Sequence, residues 1–120
     1  MYSLEKKMEI SCMHFLPGHP GACREIHGHN WNITVHCACK DADLNDQGMI
    51  VDFGEIKKVV NQPDHGTLNN FLENPTAENI AKWICDQIPT CYMVEVEETR
   101  GNKALYRDDK KSAEIFKGQQ

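Results

Sequence analysis

The sequence predicts an α+β protein, with a four-stranded antiparallel sheet and two helices on one face of the sheet. Period-two alternation near the start, helical spacing in the middle and alternation again near the end give the order strand, strand, helix, helix, strand, strand. The chain of 120 residues has the length of one domain. We expect this domain to span residues 1–107, followed by a polar tail, residues 108–120, that is partly disordered.

The first two predicted strands form a pair near the start of the chain. Residues 4–16 alternate between apolar and polar side chains, and a loop rich in proline and glycine follows. Residues 27–40 predict the second strand, with histidines, Trp31 and apolar residues on one face. His36 falls on the other face, where we expect it to be solvated.

A histidine pair at the start of the second strand indicates a metal site. His27 and His29 are two apart, so on a strand both imidazoles leave the same face. Such a pair suits zinc or copper, and His14 is a candidate for the third ligand that a catalytic zinc usually needs. A pair of polar residues on a wet strand is an equally good interpretation of the pair alone. Cys23 favours the metal site, because a thiol beside a cation loses its proton more easily.

The middle of the chain predicts two helices separated by an irregular segment. Residues 52–60 have helical spacing, and a second helix starts near Thr76, which supplies an N-cap hydroxyl. Between them, Asp64 and His65 are a candidate acid–base pair, because a carboxylate favours a charged imidazole. A capping aspartate beside a surface histidine is the alternative interpretation.

The last two predicted strands are residues 91–99 and 103–107, joined by a tight turn at Arg100-Gly101-Asn102. The two strand pairs leave free edges, through which a small chain could assemble.

Composition narrows the class of protein. A net charge of −5 argues against general affinity for nucleic acid, which requires a basic face. No apolar run approaches the ~18 residues of a membrane span. The six cysteines read as reduced thiols, since the first residues lack the apolar stretch of a secretory signal. We therefore expect a cytoplasmic protein.

Five short motifs together resemble one known family over about residues 8–107. They are Cys23-x-x-x-His27-Gly28-His29-Asn30, Met49-Ile50-Val51-Asp52-Phe53, Asp64-His65-x-x-Leu68-Asn69, Asn74-Pro75-Thr76-x-Glu78 and Val96-x-Glu98-Thr99. In this order and spacing the chain resembles the 6-pyruvoyl-tetrahydropterin synthase and queuosine-pathway 6-carboxytetrahydropterin synthase family, of the tunnelling fold. Three residues separate Cys23 from His27, and this spacing is similar to that in the bacterial queuosine enzymes.

The resemblance implies a zinc ion, a proton-transfer group and a pterin pocket. The implied residues are His14, His27 and His29 as zinc ligands, Cys23 as general base, Asp64 and His65 as its assistants, Glu98 as the pterin anchor, and Thr76 in the pocket wall. It also implies a homohexamer of two stacked trimers, with active sites shared between subunits. Met13 and Pro63 depart from the family pattern, which bears on substrate preference.

The implied reaction converts 7,8-dihydroneopterin triphosphate to 6-carboxy-5,6,7,8-tetrahydropterin, with release of acetaldehyde and triphosphate. A zinc ion with three histidine ligands can polarise substrate oxygens as a Lewis acid, and a thiolate is a suitable base. A carboxylate such as Glu98 offers two oxygens to a guanidine-like ring edge. Two alternatives stay open: the sister synthase, which eliminates triphosphate without carbon–carbon cleavage, and a non-catalytic protein that binds zinc or pterin.

Overall fold

The chain folds around a single antiparallel sheet. The computed structural model describes residues 1–119. The strands lie in the order β1-β2-β3-β4, so each strand pairs with its neighbour in sequence. Their bounds are β1 Tyr2–His14, β2 His27–Cys39, β3 Cys91–Thr99 and β4 Asn102–Arg107. The predicted sheet is therefore confirmed, with β1 beginning and ending two residues earlier than expected.

Two helices, α1 Phe53–Val60 and α2 Ala77–Asp86, cover one face of this sheet, and a third, α3 Asp109–Ile115, follows strand β4. The side chain of Asp52 accepts a hydrogen bond from Gly54 N at the start of α1, and the Thr76 hydroxyl accepts one from Asn79 N at the start of α2. Helix α1 packs on β1, and α2 packs on β3 and β4.

The core lies between this face and the helices. Every second residue of the strands points into the core, as the alternation predicted. The apolar face of α2 packs against these residues. The core residues with less than 2% exposure include Trp31, Ile33, Val35, Ile56, Val60, Leu68, Ile80, Ile84, Val94 and Val96. The same inward face of β1 ends at His14, so this histidine is buried at the rim of the core.

Two irregularities shape strand β3. The pairing of β2 with β3 shifts between His36 and Cys37, and the pairing of β3 with β4 shifts between Glu97 and Thr99. Glu98 is the extra residue of the second shift. A bulge of this kind bends the strand. The turn that follows has Gly101 at φ +89°, as its predicted tight geometry requires.

The segment after β4 differs from its prediction. Residues 109–115 form helix α3, with Asp108 as N-cap accepting from Lys111 N. The Nζ atom of Lys111 donates to the carbonyl oxygens of Cys85, Ile88 and Cys91 at 2.7, 3.0 and 3.1 Å. The expectation of disorder is wrong for these residues, because polar composition does not reveal that one lysine ties the helix to the domain.

His36 also differs from its prediction. It is only 9% exposed on the outer sheet face, where Glu5 lies opposite it and Glu95 lies diagonally across β3. Its Nε2 is 2.5 Å from Oε2 of Glu95, and its Nδ1 is 3.4 Å from Oε1 of Glu5. The strand pattern assigned the correct face, but neighbouring strands cover that face at this point.

An irregular segment runs along the free edge of β1. His65 N donates to Ser11 O at 2.6 Å, and Met13 N donates to Gly66 O at 2.9 Å. The Asp64 carboxylate accepts from Ser11 N at 2.9 Å. This pairing holds Asp64 and His65 beside the end of the strand that carries His14.

Candidate metal centre and active site

Three histidines converge at the open end of the β1–β2 hairpin. His14 and His27 are direct cross-strand partners, and His29 lies two residues further along β2. The ring centroid of His14 is 4.5 Å from that of His27 and 5.1 Å from that of His29. The ring of Trp31 lies behind them, 4.9 Å from His14 and 5.3 Å from His29, and forms an apolar wall.

Backbone carbonyls orient two of these rings. Nδ1 of His14 donates to the carbonyl oxygen of Pro75 at 2.8 Å, and Nδ1 of His27 donates to that of Glu25 at 2.7 Å. A carbonyl can only accept, so the proton of each neutral ring belongs on Nδ1. Nε2 of each ring is then left with its lone pair, which is the arrangement that metal-binding histidines use.

The Nε2 atoms of two of these histidines make no hydrogen bond within the described part of the chain. Nε2 of His14 and Nε2 of His29 are buried and lack a hydrogen-bond partner among residues 1–119. A buried polar atom without a partner costs free energy, so such an atom calls for a ligand. Burial also lowers the pKa of His29, against the opposing influence of Glu98, which favours the neutral, metal-binding form. The residues present therefore fit a metal ion.

Glu98 brings a carboxylate to the same point. Its Oε1 is 2.9 Å from Nε2 of His29 and 3.2 Å from Nε2 of His14. One donor atom from each of His14, His27, His29 and Glu98 lies within 4.8 Å of all the others. We call these four residues the metal group. Three nitrogens and one carboxylate oxygen form a donor set that zinc accepts.

Comparison with known proteins decides the family. The sequence model of the family described as 6-pyruvoyl tetrahydropterin synthase matches residues 3–109. The chain belongs to this family.

Relatives within the family carry names of the carboxytetrahydropterin type. A 6-carboxy-5,6,7,8-tetrahydropterin synthase of Bacillus subtilis is 35% identical, over 91% of this chain and 87% of the relative. A protein of the same name from Synechocystis is 35% identical, over 88% of this chain and 93% of the relative. The resemblance found in the short motifs thus extends over nearly the whole chain.

A solved structure of the family has the same fold. The 6-pyruvoyl tetrahydropterin synthase of Caenorhabditis elegans superposes with a TM-score of 0.67 at 24% identity, and the match covers 88% of this chain and 94% of that one. The predicted fold class, the tunnelling fold of this family, is confirmed. No helix within residues 1–119 combines the length and apolar character needed to cross a membrane.

Asp64 and His65 lie next to each other beside the end of β1. Nε2 of His65 is 3.5 Å from Oδ2 of Asp64, and the His65 side chain is 83% exposed. A cleft of about 370 Å³ is lined by Ser11, Cys12, Met13, Gly28, His29, Asn30, His65 and Gly66. His65 and one residue of the metal group, His29, therefore border the same cleft.

The remaining predicted residues lie on connections next to these elements. Cys23 is half-buried in a short 3-10 helix, Ala22–Arg24, just before β2. It is not a member of the metal group. Thr76 caps α2 and follows Pro75, whose carbonyl holds His14. The roles predicted for both residues stay predictions.

Sequence reasoning missed two parts of this site. It placed Glu98 at a pterin and did not foresee its contacts with His14 and His29. The signal was available, because Glu98 continues the inward-facing alternation of Val94 and Val96 on the strand next to β2. The carbonyls of Glu25 and Pro75 were missed as well, because a backbone oxygen leaves no mark on the sequence; a proline near the cap of α2 is at most a weak signal.

Proposed function

We propose that this chain is a zinc-dependent 6-carboxytetrahydropterin synthase, a carbon–carbon lyase of 7-deazaguanine (queuosine) biosynthesis. Its substrate would be 7,8-dihydroneopterin triphosphate, and its products 6-carboxy-5,6,7,8-tetrahydropterin, acetaldehyde and triphosphate. The observation that carries the proposal is the convergence of His14, His27 and His29, with the Nε2 atoms of His14 and His29 unsatisfied. The names of the relatives at 35% identity support the reaction type.

The three histidines would hold zinc through their Nε2 atoms. A zinc ion there supplies Lewis-acid polarisation of neighbouring substrate oxygens, which makes adjacent protons easier to remove. The Pro75 and Glu25 carbonyls keep His14 and His27 in the tautomer that binds metal. The Trp31 ring packs against His14 and His29 and excludes water from that side.

Proton transfer would fall to Cys23, assisted by Asp64 and His65. Cys23 is half-buried rather than enclosed in the core, and the thiolate is the form in which a cysteine acts as a base. The Asp64 carboxylate, held by Ser11 N, lies 3.5 Å from Nε2 of the His65 imidazole. We assign Glu98 to the edge of the pterin ring and Thr76 to the pocket wall.

The sister reaction is the second candidate. It eliminates triphosphate and rearranges the side chain without carbon–carbon cleavage, and it is favoured by the name of the family and of the Caenorhabditis elegans structure. A non-catalytic zinc- or pterin-binding role is the third. Binding alone would require neither Cys23 nor the pair Asp64 and His65.

We further propose a homohexamer of two stacked trimers with shared active sites. β1 and β4 are edge strands, and the described surface exposes large apolar side chains that an assembly could cover, namely Met1, Tyr2, Met13, Ile26, Phe53, Phe71, Leu105 and Phe116. The free thiols suit the reducing cytoplasm. Sedimentation showing only monomers at micromolar concentration, with turnover intact, would contradict the hexamer.

Product analysis tests the reaction. Zinc-loaded protein is incubated with 7,8-dihydroneopterin triphosphate, and acetaldehyde and the pterin product are measured by mass spectrometry. We expect acetaldehyde and 6-carboxytetrahydropterin in equal amounts. Triphosphate release without acetaldehyde would identify the sister reaction, and unchanged substrate would leave the binding role.

A further inference from the structure

Glu98 occupies a position that its assignment to the pterin does not explain. Its Oε1 lies between two imidazoles, 2.9 Å from Nε2 of His29 and 3.2 Å from Nε2 of His14. A residue reserved for the pterin ring would have no reason to reach the nitrogens that bind the metal. The contact thus needs a separate account.

The contact distances match shared coordination of one ion. Ligand atoms in a tetrahedral zinc site with bonds of about 2.0–2.2 Å lie about 3.3 Å apart. The distance to His14, 3.2 Å, is close to this value and the distance to His29, 2.9 Å, is shorter, yet neither Nε2 has a hydrogen-bond partner within residues 1–119. The nitrogens and the oxygen are therefore neighbours without being aimed at one another. Donor atoms that surround a common centre have this arrangement.

Strand alternation places the Glu98 side chain on the inward face of β3, after the buried Val94 and Val96. Glu98 is the extra residue where the pairing of β3 with β4 shifts, between Glu97 and Thr99. Bulges are common next to active sites. Glu97, one residue earlier, contacts Asn32 on the outer face instead.

Glu98 is also more exposed than His14 and His29 in the metal group. Its side chain is 30% exposed, whereas that of His14 is 1% exposed and that of His29 is 17% exposed. Nδ1 of His14 and Nδ1 of His27 are fixed by carbonyls. A glutamate has three rotatable side-chain bonds, so it can leave the centre while the histidines remain.

We propose that Glu98 is an exchangeable fourth ligand: it closes the metal centre while no pterin is bound, and it turns to the pterin ring when one binds. This inference rests on the proposed function, because it requires both the metal and the pterin. The Glu98 carboxylate would thus contact the metal first and the pterin ring afterwards. Closure would retain the metal and keep water from the open position until substrate arrives.

Cobalt(II) is the probe for the first half of the proposal, because its visible absorption reports coordination number and donor type. Cobalt-loaded protein without pterin is compared with Glu98→Gln and with the control Glu97→Gln, which changes the same charge on the outer face. We expect Glu98→Gln to change the visible spectrum and to weaken cobalt binding by about tenfold or more. Glu97→Gln should match the unmodified protein in both.

Neopterin, which lacks the triphosphate, tests whether Glu98 leaves the metal centre when a pterin binds. Added to cobalt-loaded unmodified protein, it should change the visible spectrum in proportion to the amount bound, measured in parallel by equilibrium dialysis. An unchanged spectrum at saturating bound neopterin would overturn the exchange.

Two further results separate this inference from the proposed function. If Glu98→Gln matches the unmodified protein in spectrum and affinity while His29→Ala loses cobalt, the inference is overturned and the histidine centre stands. If His29→Ala binds cobalt as tightly as the unmodified protein, the histidine centre is wrong and the inference falls with it.

Discussion

Nε2 of His36 lies 2.5 Å from Oε2 of Glu95, across strands β2 and β3 on the outer face of the sheet. The Glu95 carboxylate also accepts from Nζ of Lys103 at 3.0 Å. These hydrogen bonds, first that of His36 and then that of Lys103, lower the pKa of Glu95 below its ordinary value of 4.5. The carboxylate is thus stabilised in its charged form in the folded protein.

A depressed pKa in the folded state contributes stability above the unfolded pKa, and this contribution is lost as the pH falls through the folded pKa. We expect Glu95→Gln to reduce the free energy of unfolding by about 1–3 kcal/mol near neutral pH. The difference should shrink as the pH falls below 4.5. Urea unfolding across this range measures it, with Glu9→Gln on the exposed part of β1 as control. A difference that is constant with pH would contradict the assignment.

Lys111 should stabilise the fold through its ammonium group. Its three carbonyl partners lie at the end of α2 and the start of β3, where a positive charge is favourable. Lys111→Met keeps the aliphatic stem and leaves these oxygens without their donor, so we expect a loss of about 1–3 kcal/mol. Lys110→Met, on the exposed side of the same helix, should be near neutral in the same unfolding measurement. Equal effects of the two variants would argue against the role of Lys111.

We expect His65 to lower the stability of the fold through its backbone conformation and to be needed for turnover. It has φ of +61°, the left-handed region that favours glycine, and its side chain is largely exposed. We expect His65→Gly to be about 0.5–1 kcal/mol more stable than His65→Ala, because glycine relieves the strain. Both variants should lose turnover. If His65→Gly kept normal turnover, the imidazole would have no part in proton transfer.

Cys23 should act as a base and leave metal binding unchanged. The metal group does not include it, and a thiolate ligand there would close the centre to substrate. Cys23→Ala should keep its zinc while turnover falls by about two to four orders of magnitude, the usual contribution of a positioned base. Metal content and turnover are measured on the same preparation, with Cys39→Ala as the control. Zinc loss in Cys23→Ala would make the thiol a ligand, and normal turnover would exclude both roles.

Periodicity predicted the parts of the fold that repeat. Alternation placed His14, His27 and His29 on the inward face of the sheet, and their convergence followed from strand pairing. Features that depend on contacts distant in sequence were not predictable in this way. The burial of His36 depends on Glu5 and Glu95, and helix α3 depends on the bonds of Lys111.

The same distinction holds within the site. The short motifs predicted the histidines, which the structure brings together, whereas the role of Cys23 stays a prediction. The approach of Glu98 to the histidines depends on the register between β2 and β3, which sequence periodicity alone does not fix.

Zinc content is the measurement that tests the central claim most directly. Unmodified protein, His14→Ala, His29→Ala and the loop control His19→Ala are purified in parallel, and bound zinc per chain is determined by elemental analysis. We expect stoichiometric zinc in the unmodified protein and in His19→Ala, and little or none in the other two variants. Full zinc in His29→Ala or His14→Ala would contradict this expectation.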